Sequence, residues 1–82
     1  MIELVLYTRH ECELCREMEE SVGEVLPHFA ARLERVEIDG DARLEARFRL
    51  EVPVLFVNGR KAFKYRCTPR DLRKRLQREA SS

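Results

Sequence analysis

Two short segments, Ile2 to Thr8 and Val52 to Val57, are apolar at successive positions, not only at alternate ones. In the first, Ile2, Leu4 and Leu6 fall on one side of an extended chain and Val5 and Tyr7 on the other, because strand side chains alternate. Strands of this kind are buried on both faces and belong in the middle of a sheet that is covered on each side. With 82 residues the chain has room for one core and no second one.

The intervening segments supply the cover. Glu13 to about Leu26 is predicted to be a helix, with Leu14, Met18, Val22, Val25 and Leu26 at helical spacing and Pro27 ending it. Phe29 to Arg32 reads as a connection or a short turn of helix. Leu33 to Asp39 alternates but carries charge on both sides, which suits an exposed edge strand. Asp39-Gly40-Asp41 is turn and N-cap chemistry, and Ala42 to about Arg49 forms a second helix with Leu44 and Phe48 inward.

Pro53 falls at the start of the second apolar strand, where a missing N–H is tolerated. Asn58-Gly59 is a strong hairpin signal, and Arg60 to Arg66 returns antiparallel with Phe63, Tyr65 and then Cys67 sharing one parity. Thr68-Pro69-Arg70-Asp71 opens a last helix with Leu72 and Leu76 inward, and the tail from Glu79 to Ser82 is expected to fray. The order is β1-α1-β2-α2-β3-β4-α3. Two interior strands, two edge strands, the hairpin and right-handed crossovers give an α/β fold. Its four-stranded mixed sheet has the predicted order β2-β1-β3-β4, with helices on both faces.

Composition narrows the function. The net charge of +1 hides an asymmetry: residues 1–41 hold four Arg/Lys against eleven Asp/Glu, and residues 42–82 hold twelve against four. Solvated helices of opposite charge account for this without a special partner. The basic half has no interleaved stacking aromatics, so no nucleic-acid partner is expected. No apolar run is long enough to span a bilayer, so no membrane partner is expected either. Three cysteines cannot form a disulfide scaffold, and the chain opens on a strand without leader-like features. The expectation is a monomer in a reducing cytoplasm.

Cys12-Glu13-Leu14-Cys15 lies between the first strand and the first helix. Thiols three apart at a helix start can close and open a disulfide within one turn, which points to thiol–disulfide chemistry. Unpaired N–H groups and the positive end of the helix dipole favour a Cys12 thiolate. Glu11 and Glu13 oppose it, while Arg9 and His10 act the other way if they approach.

Other readings of these cysteines stay open. Cys12 and Cys15 with Cys67 and a histidine form a conceivable metal or iron–sulfur site, although no second closely spaced ligand pair exists. The fold could instead be a binding module with idle thiols. Cys67 reads as a buried structural thiol or a third redox thiol, and Arg9 as a solvated cation or an anion-binding one.

Tyr7-Thr8-Arg9-x-x-Cys12-x-x-Cys15, Val52-Pro53 and Phe56-Val57-Asn58-Gly59 together resemble the glutaredoxin and thioredoxin superfamily, in particular its small bacterial glutaredoxin-like members. The resemblance covers nearly the whole chain. It implies a thioredoxin-like fold and a disulfide oxidoreductase in which Cys12 is the nucleophile and Cys15 the resolving thiol. It implies a cis Val52–Pro53 bond, with the Val52 backbone pairing with substrate and Arg9 receiving a glutathione carboxylate. No cofactor or metal is built in; the reductant is external, glutathione or a thioredoxin-reductase-type donor. The sequence departs from the glutaredoxin pattern at Tyr65-Arg66-Cys67-Thr68-Pro69, where Arg66-Cys67 replaces a Gly-Gly pair. Thr68 remains a candidate contact for the γ-glutamyl end.

Overall fold

The computed structural model describes residues 1–81. Strand β1 (Ile2–Thr8) runs into α1 (Glu13–Val25), followed by a short 3-10 turn, Leu26–His28. Then come β2 (Ala31–Glu37), α2 (Ala42–Phe48), β3 (Val54–Val57), β4 (Arg60–Lys64) and α3 (Pro69–Ser81). The four strands lie in the order β2-β1-β3-β4, with β2 parallel to β1 and the other neighbours antiparallel, as the patterning predicts. Among the described residues no helix is long and apolar enough to cross a membrane.

The double-sided apolar strands have the consequence expected of them. On one face Leu4 and Leu6 of β1 and Leu55 and Val57 of β3 pack with Met18, Val22 and Val25 of α1 and Leu72 and Leu76 of α3. On the other, Val54 packs with Phe48 of α2, and Tyr7 and Phe56 close around it. There the Tyr7 and Phe48 rings stack with centroids 4.4 Å apart, and Phe56 meets both edge-on.

The local signals end the elements where chemistry requires. Asp41 caps α2 by accepting from the Arg43 and Leu44 amides, and Thr68 Oγ1 accepts from the Asp71 amide at the start of α3. Asn58 and Gly59 both take positive φ, 49° and 81°, as a tight hairpin of this hand demands.

Several boundaries differ from the sequence reading. The 3-10 turn forms around Pro27, and β2 starts at Ala31, two residues earlier than predicted, because it pairs with β1 from Ile2 onward. The C-terminal tail does not fray at Glu79: α3 continues to Ser81, and Glu79 accepts from Asn58 Nδ2 and Arg75 Nε. Ser82, the last residue of the predicted tail, lies outside the described residues.

The main departure is in β4. Leu55 pairs with Phe63 but Phe56 with Lys61, so Ala62 is an extra residue in a bulge. Ala62 and Phe63 then both pack against the α1–α3 core, which strict alternation forbids. Tyr65, expected beside Phe63, instead turns outward at φ 69°.

Candidate active site

The sulfurs sit where a central strand hands over to a helix. β1 ends at Thr8, and the chain turns through Arg9, His10 and Glu11, with Glu11 at φ 51° in the left-handed region. Asp39, at the corresponding end of β2, accepts the His10 amide at 2.8 Å and fixes this loop. Cys12 is the N-cap of α1 in extended geometry, and Cys15 lies one turn on. The two form a disulfide with their Cα atoms 5.2 Å apart.

Their environments differ in a way that separates their roles. Cys15 is 3% exposed and belongs to the apolar cluster of Ile38, Phe48, Val52 and Val54, whereas Cys12 is half-buried at its margin. Only Cys12 faces an incoming molecule. Its Sγ accepts the Cys15 amide at 3.2 Å, so a backbone donor already points at the atom that would carry negative charge.

Of the two carboxylates that sequence proximity sets against this thiol, Glu13 is paired, and Glu11 has no cation within ion-pair distance among the described residues. Glu13 pairs with Arg16 at 2.5 Å, and Arg35 holds Glu19 and also approaches Glu37, which lies 3.4 Å from His10. Arg9 shares the cleft with Cys12 and Cys15, and among the described residues no carboxylate lies within ion-pair distance of it. Arg9 therefore meets the geometric condition for receiving an anion beside the sulfurs.

Val52 and Pro53 are buried, and the bond between them is cis. Val52 shares the cluster of Cys15, so the proline loop and the dithiol are brought together. The Val52 amide donates to the Phe48 carbonyl at 3.0 Å, and the Pro53 carbonyl accepts from the Tyr65 amide at 2.8 Å. Backbone pairing of Val52 with a substrate would thus have its carbonyl to offer, the amide being occupied by α2.

Thr68 and Cys67 do not line the cleft of Arg9, Cys12 and Cys15. They line a separate cleft between α1 and the start of α3, with Glu17, Met18 and Pro69. Cys67 packs against the α1–α3 core, and burial, with Asp71 adding, pushes its thiol up to about 12. Among the described residues no three His, Cys, Asp or Glu side chains converge as a metal cage.

The thiolate is the reactive species, so at pH 8 Cys67 is expected to alkylate about a thousandfold more slowly than an unperturbed exposed thiol. Raising the pH to 10 still leaves it protonated. Mass mapping after iodoacetamide treatment checks this; Cys67 labelling at the rate of free cysteine would contradict the burial.

Sequence reasoning missed three contributors: Asp39 as the anchor of the His10 amide, the Glu13–Arg16 pair, and Glu19–Arg35 in the wall of the cleft. Only the second had a local signal, an i,i+3 spacing of opposite charges.

A four-stranded mixed sheet with helices on both faces, a dithiol at the start of α1 and a cis-proline before β3 define a thioredoxin-fold protein with a closed Cys-x-x-Cys disulfide. Residues 3–77 match the family described as the glutaredoxin-like domain (DUF836), and the chain belongs to that family. It is similar to protein XcR50 from X. campestris, with 34% identity over 92% of this chain and 96% of that one and a TM-score of 0.79. Similarity extends to protein Ne2328 from Nitrosomonas europaea, at 30% identity over 87% of this chain and 86% of that one, TM-score 0.73. Thioredoxin from Trypanosoma brucei brucei shares the fold, with TM-score 0.73 at 16% identity over 100% of this chain and 77% of that one. No curated protein matches this sequence.

Proposed function

We propose that this protein is a thiol–disulfide oxidoreductase that reduces protein or small-molecule disulfides, working as a monomer in the cytoplasm. The observation that carries the reading is the asymmetry of the pair: Cys12 at the open N-cap with a backbone donor on its sulfur, Cys15 one turn deeper and buried.

The chemistry follows from that asymmetry. The Cys12 thiolate attacks one sulfur of a substrate disulfide; a Cys12–substrate bond forms and the other substrate sulfur leaves as a thiolate. The Cys15 thiolate then attacks Cys12 Sγ, closes the internal disulfide and expels the second substrate sulfur. Two electrons pass from the dithiol to the substrate, and the two protons end on the released thiols. An external thiol donor returns the pair to the reduced state. Reduction of 2-hydroxyethyl disulfide or insulin by the pre-reduced protein tests the reading, and no turnover of either would overturn it.

Arg9 and the Val52 carbonyl favour glutathione as one donor, and Arg66-Cys67 works against it. A site short of some polar contacts loses roughly 1–3 kcal/mol, about ten- to a hundredfold in affinity. Turnover with glutathione and its reductase is therefore expected to be measurable but poor, and to rise when Arg66→Gly is combined with Cys67→Gly. A coupled assay against a thioredoxin-reductase system decides; efficient glutathione turnover by the unaltered protein would show that the Arg66-Cys67 loop is no obstacle.

A further inference from the structure

Among the described residues three large apolar side chains are exposed: Met1 at 80%, Leu50 at 77% and Tyr65 at 42%. Met1 precedes the start of β1, at the end of the strand away from the sulfurs. The other two flank the cis-proline loop. Leu50 is two residues from Val52, hence within about 7 Å of it along the chain. Tyr65 is tied to the same loop twice, its hydroxyl donating to the Leu50 carbonyl at 2.8 Å and its amide to the Pro53 carbonyl at 2.8 Å.

Tyr65 holds this place at a cost. Its φ of 69° lies where glycine is favoured, and the Arg66 amide reaches back to the Lys64 carbonyl at 2.8 Å across it. An aromatic ring is thus kept outward, in a strained turn, next to the residues that share a cluster with Cys15.

The surface beside these two side chains is cationic. Glu51, adjoining Leu50, is met by Lys61 at 2.6 Å, and its carboxyl is held below the usual range by that hydrogen bond, with Lys64 and Arg47 adding and burial opposing. Lys61 is therefore neutralised. Arg47, lying over the Phe48 and Phe56 rings at 4.7 and 5.7 Å, and Lys64, 5.5 Å from the Tyr65 ring centroid, have no carboxylate within ion-pair distance among the described residues. In the cleft of the dithiol itself Arg16 and Arg35 are each paired, which leaves Arg9 as its one arginine without a carboxylate within ion-pair distance among the described residues.

We propose that Leu50, Tyr65, Arg47 and Lys64 form a docking surface for an acidic polypeptide that carries an aliphatic or aromatic residue near its disulfide cysteine. The apolar residue lies on Leu50 and Tyr65, and the acidic stretch runs toward Arg47 and Lys64. This rests on the disulfide-reductase reading and names its substrate class: a protein disulfide with acidic flanks. Burying two apolar side chains gives affinity, and the two cations select the sign of the partner.

The experiment compares two disulfide peptides that share a leucine beside the cysteine and differ only in flanking Asp/Glu or Lys. At low ionic strength the acidic peptide is expected to have a kcat/KM at least about tenfold higher, a ratio that shrinks toward one in about 0.5 M salt. In the Arg47→Glu, Lys64→Glu double variant the ratio is expected to invert, and in Leu50→Ser the acidic peptide is expected to lose about three- to tenfold.

Binding of fluorescent Ser-for-Cys peptides to the oxidised protein, read by anisotropy, reports docking without turnover. It separates failure of the surface from failure of the redox chemistry, which 2-hydroxyethyl disulfide reports alone. Equal binding of the two Ser peptides, or an acidic preference that survives the charge reversal, would overturn the proposal. So would displacement of the acidic peptide by a single-stranded oligonucleotide at lower concentration, which would assign the cations to nucleic acid.

Discussion

Cys12→Ser is expected to abolish disulfide reduction, with residual rates indistinguishable from the uncatalysed reaction. The serine hydroxyl keeps the cap but supplies no sulfur nucleophile at the helix start, and Cys15, 3% exposed, is too buried to replace it. Cys15→Ser is expected to behave differently. Cys12 still attacks, but no second thiol stands one turn away to release the product, so a Cys12–substrate mixed disulfide accumulates in near-stoichiometric amount. Intact-mass spectrometry after mixing with a disulfide substrate reads both results. Faster alkylation of Cys15 than of Cys12 in the reduced protein would reverse the assigned roles.

Phe48→Ala is the substitution expected to cost most in stability. Phe48 is fully buried, stacks on Tyr7 and meets Phe56 edge-on, so its loss empties the centre of the layer between α2 and the sheet. Deleting a buried phenyl ring in this way costs about 3–5 kcal/mol. A domain of 82 residues has roughly 4–12 kcal/mol in total, at about 0.05–0.15 per residue. The variant is expected to lose roughly 15–30 °C in Tm, or to be largely unfolded at 37 °C.

The same residue bears on the site. The Phe48 carbonyl accepts the Glu51 and Val52 amides, so the end of α2 sets the path of the chain into the cis-proline loop. Phe48→Leu keeps much of the volume and is expected to cost distinctly less. Urea or thermal denaturation of the two variants checks this order, and a Tm loss below about 5 °C for the alanine variant would show that the aromatic layer is not the support described.

What the sequence determined by itself is whatever short-range physics encodes. Apolar residues on both faces of the segments 2–8 and 52–57 made the strands they contain interior, and the charged alternation of the segment between them made β2 an edge. Asp41, Thr68 and Asn58-Gly59 act within three or four residues of themselves, so capping and turning were legible without knowledge of the fold. The dithiol was legible too, because its spacing and its position between strand and helix are local facts.

The tertiary structure decided whatever depends on register and on contacts between distant segments. The bulge at Ala62 broke the parity count and placed Ala62 and Phe63 on one core, and the positive φ of Tyr65 then turned that ring to the surface; alternation alone cannot show where a ladder slips by one residue or where a strand ends in a turn. Asp39 meeting His10, Arg35 meeting Glu19, and Phe48 occupying the Val52 amide join residues that no periodicity links. Cys67 shows the division most clearly. The sequence offered it either as a buried structural thiol or as a third redox partner, and only the packing of α1 against α3 placed it in a separate cleft with its thiol held protonated.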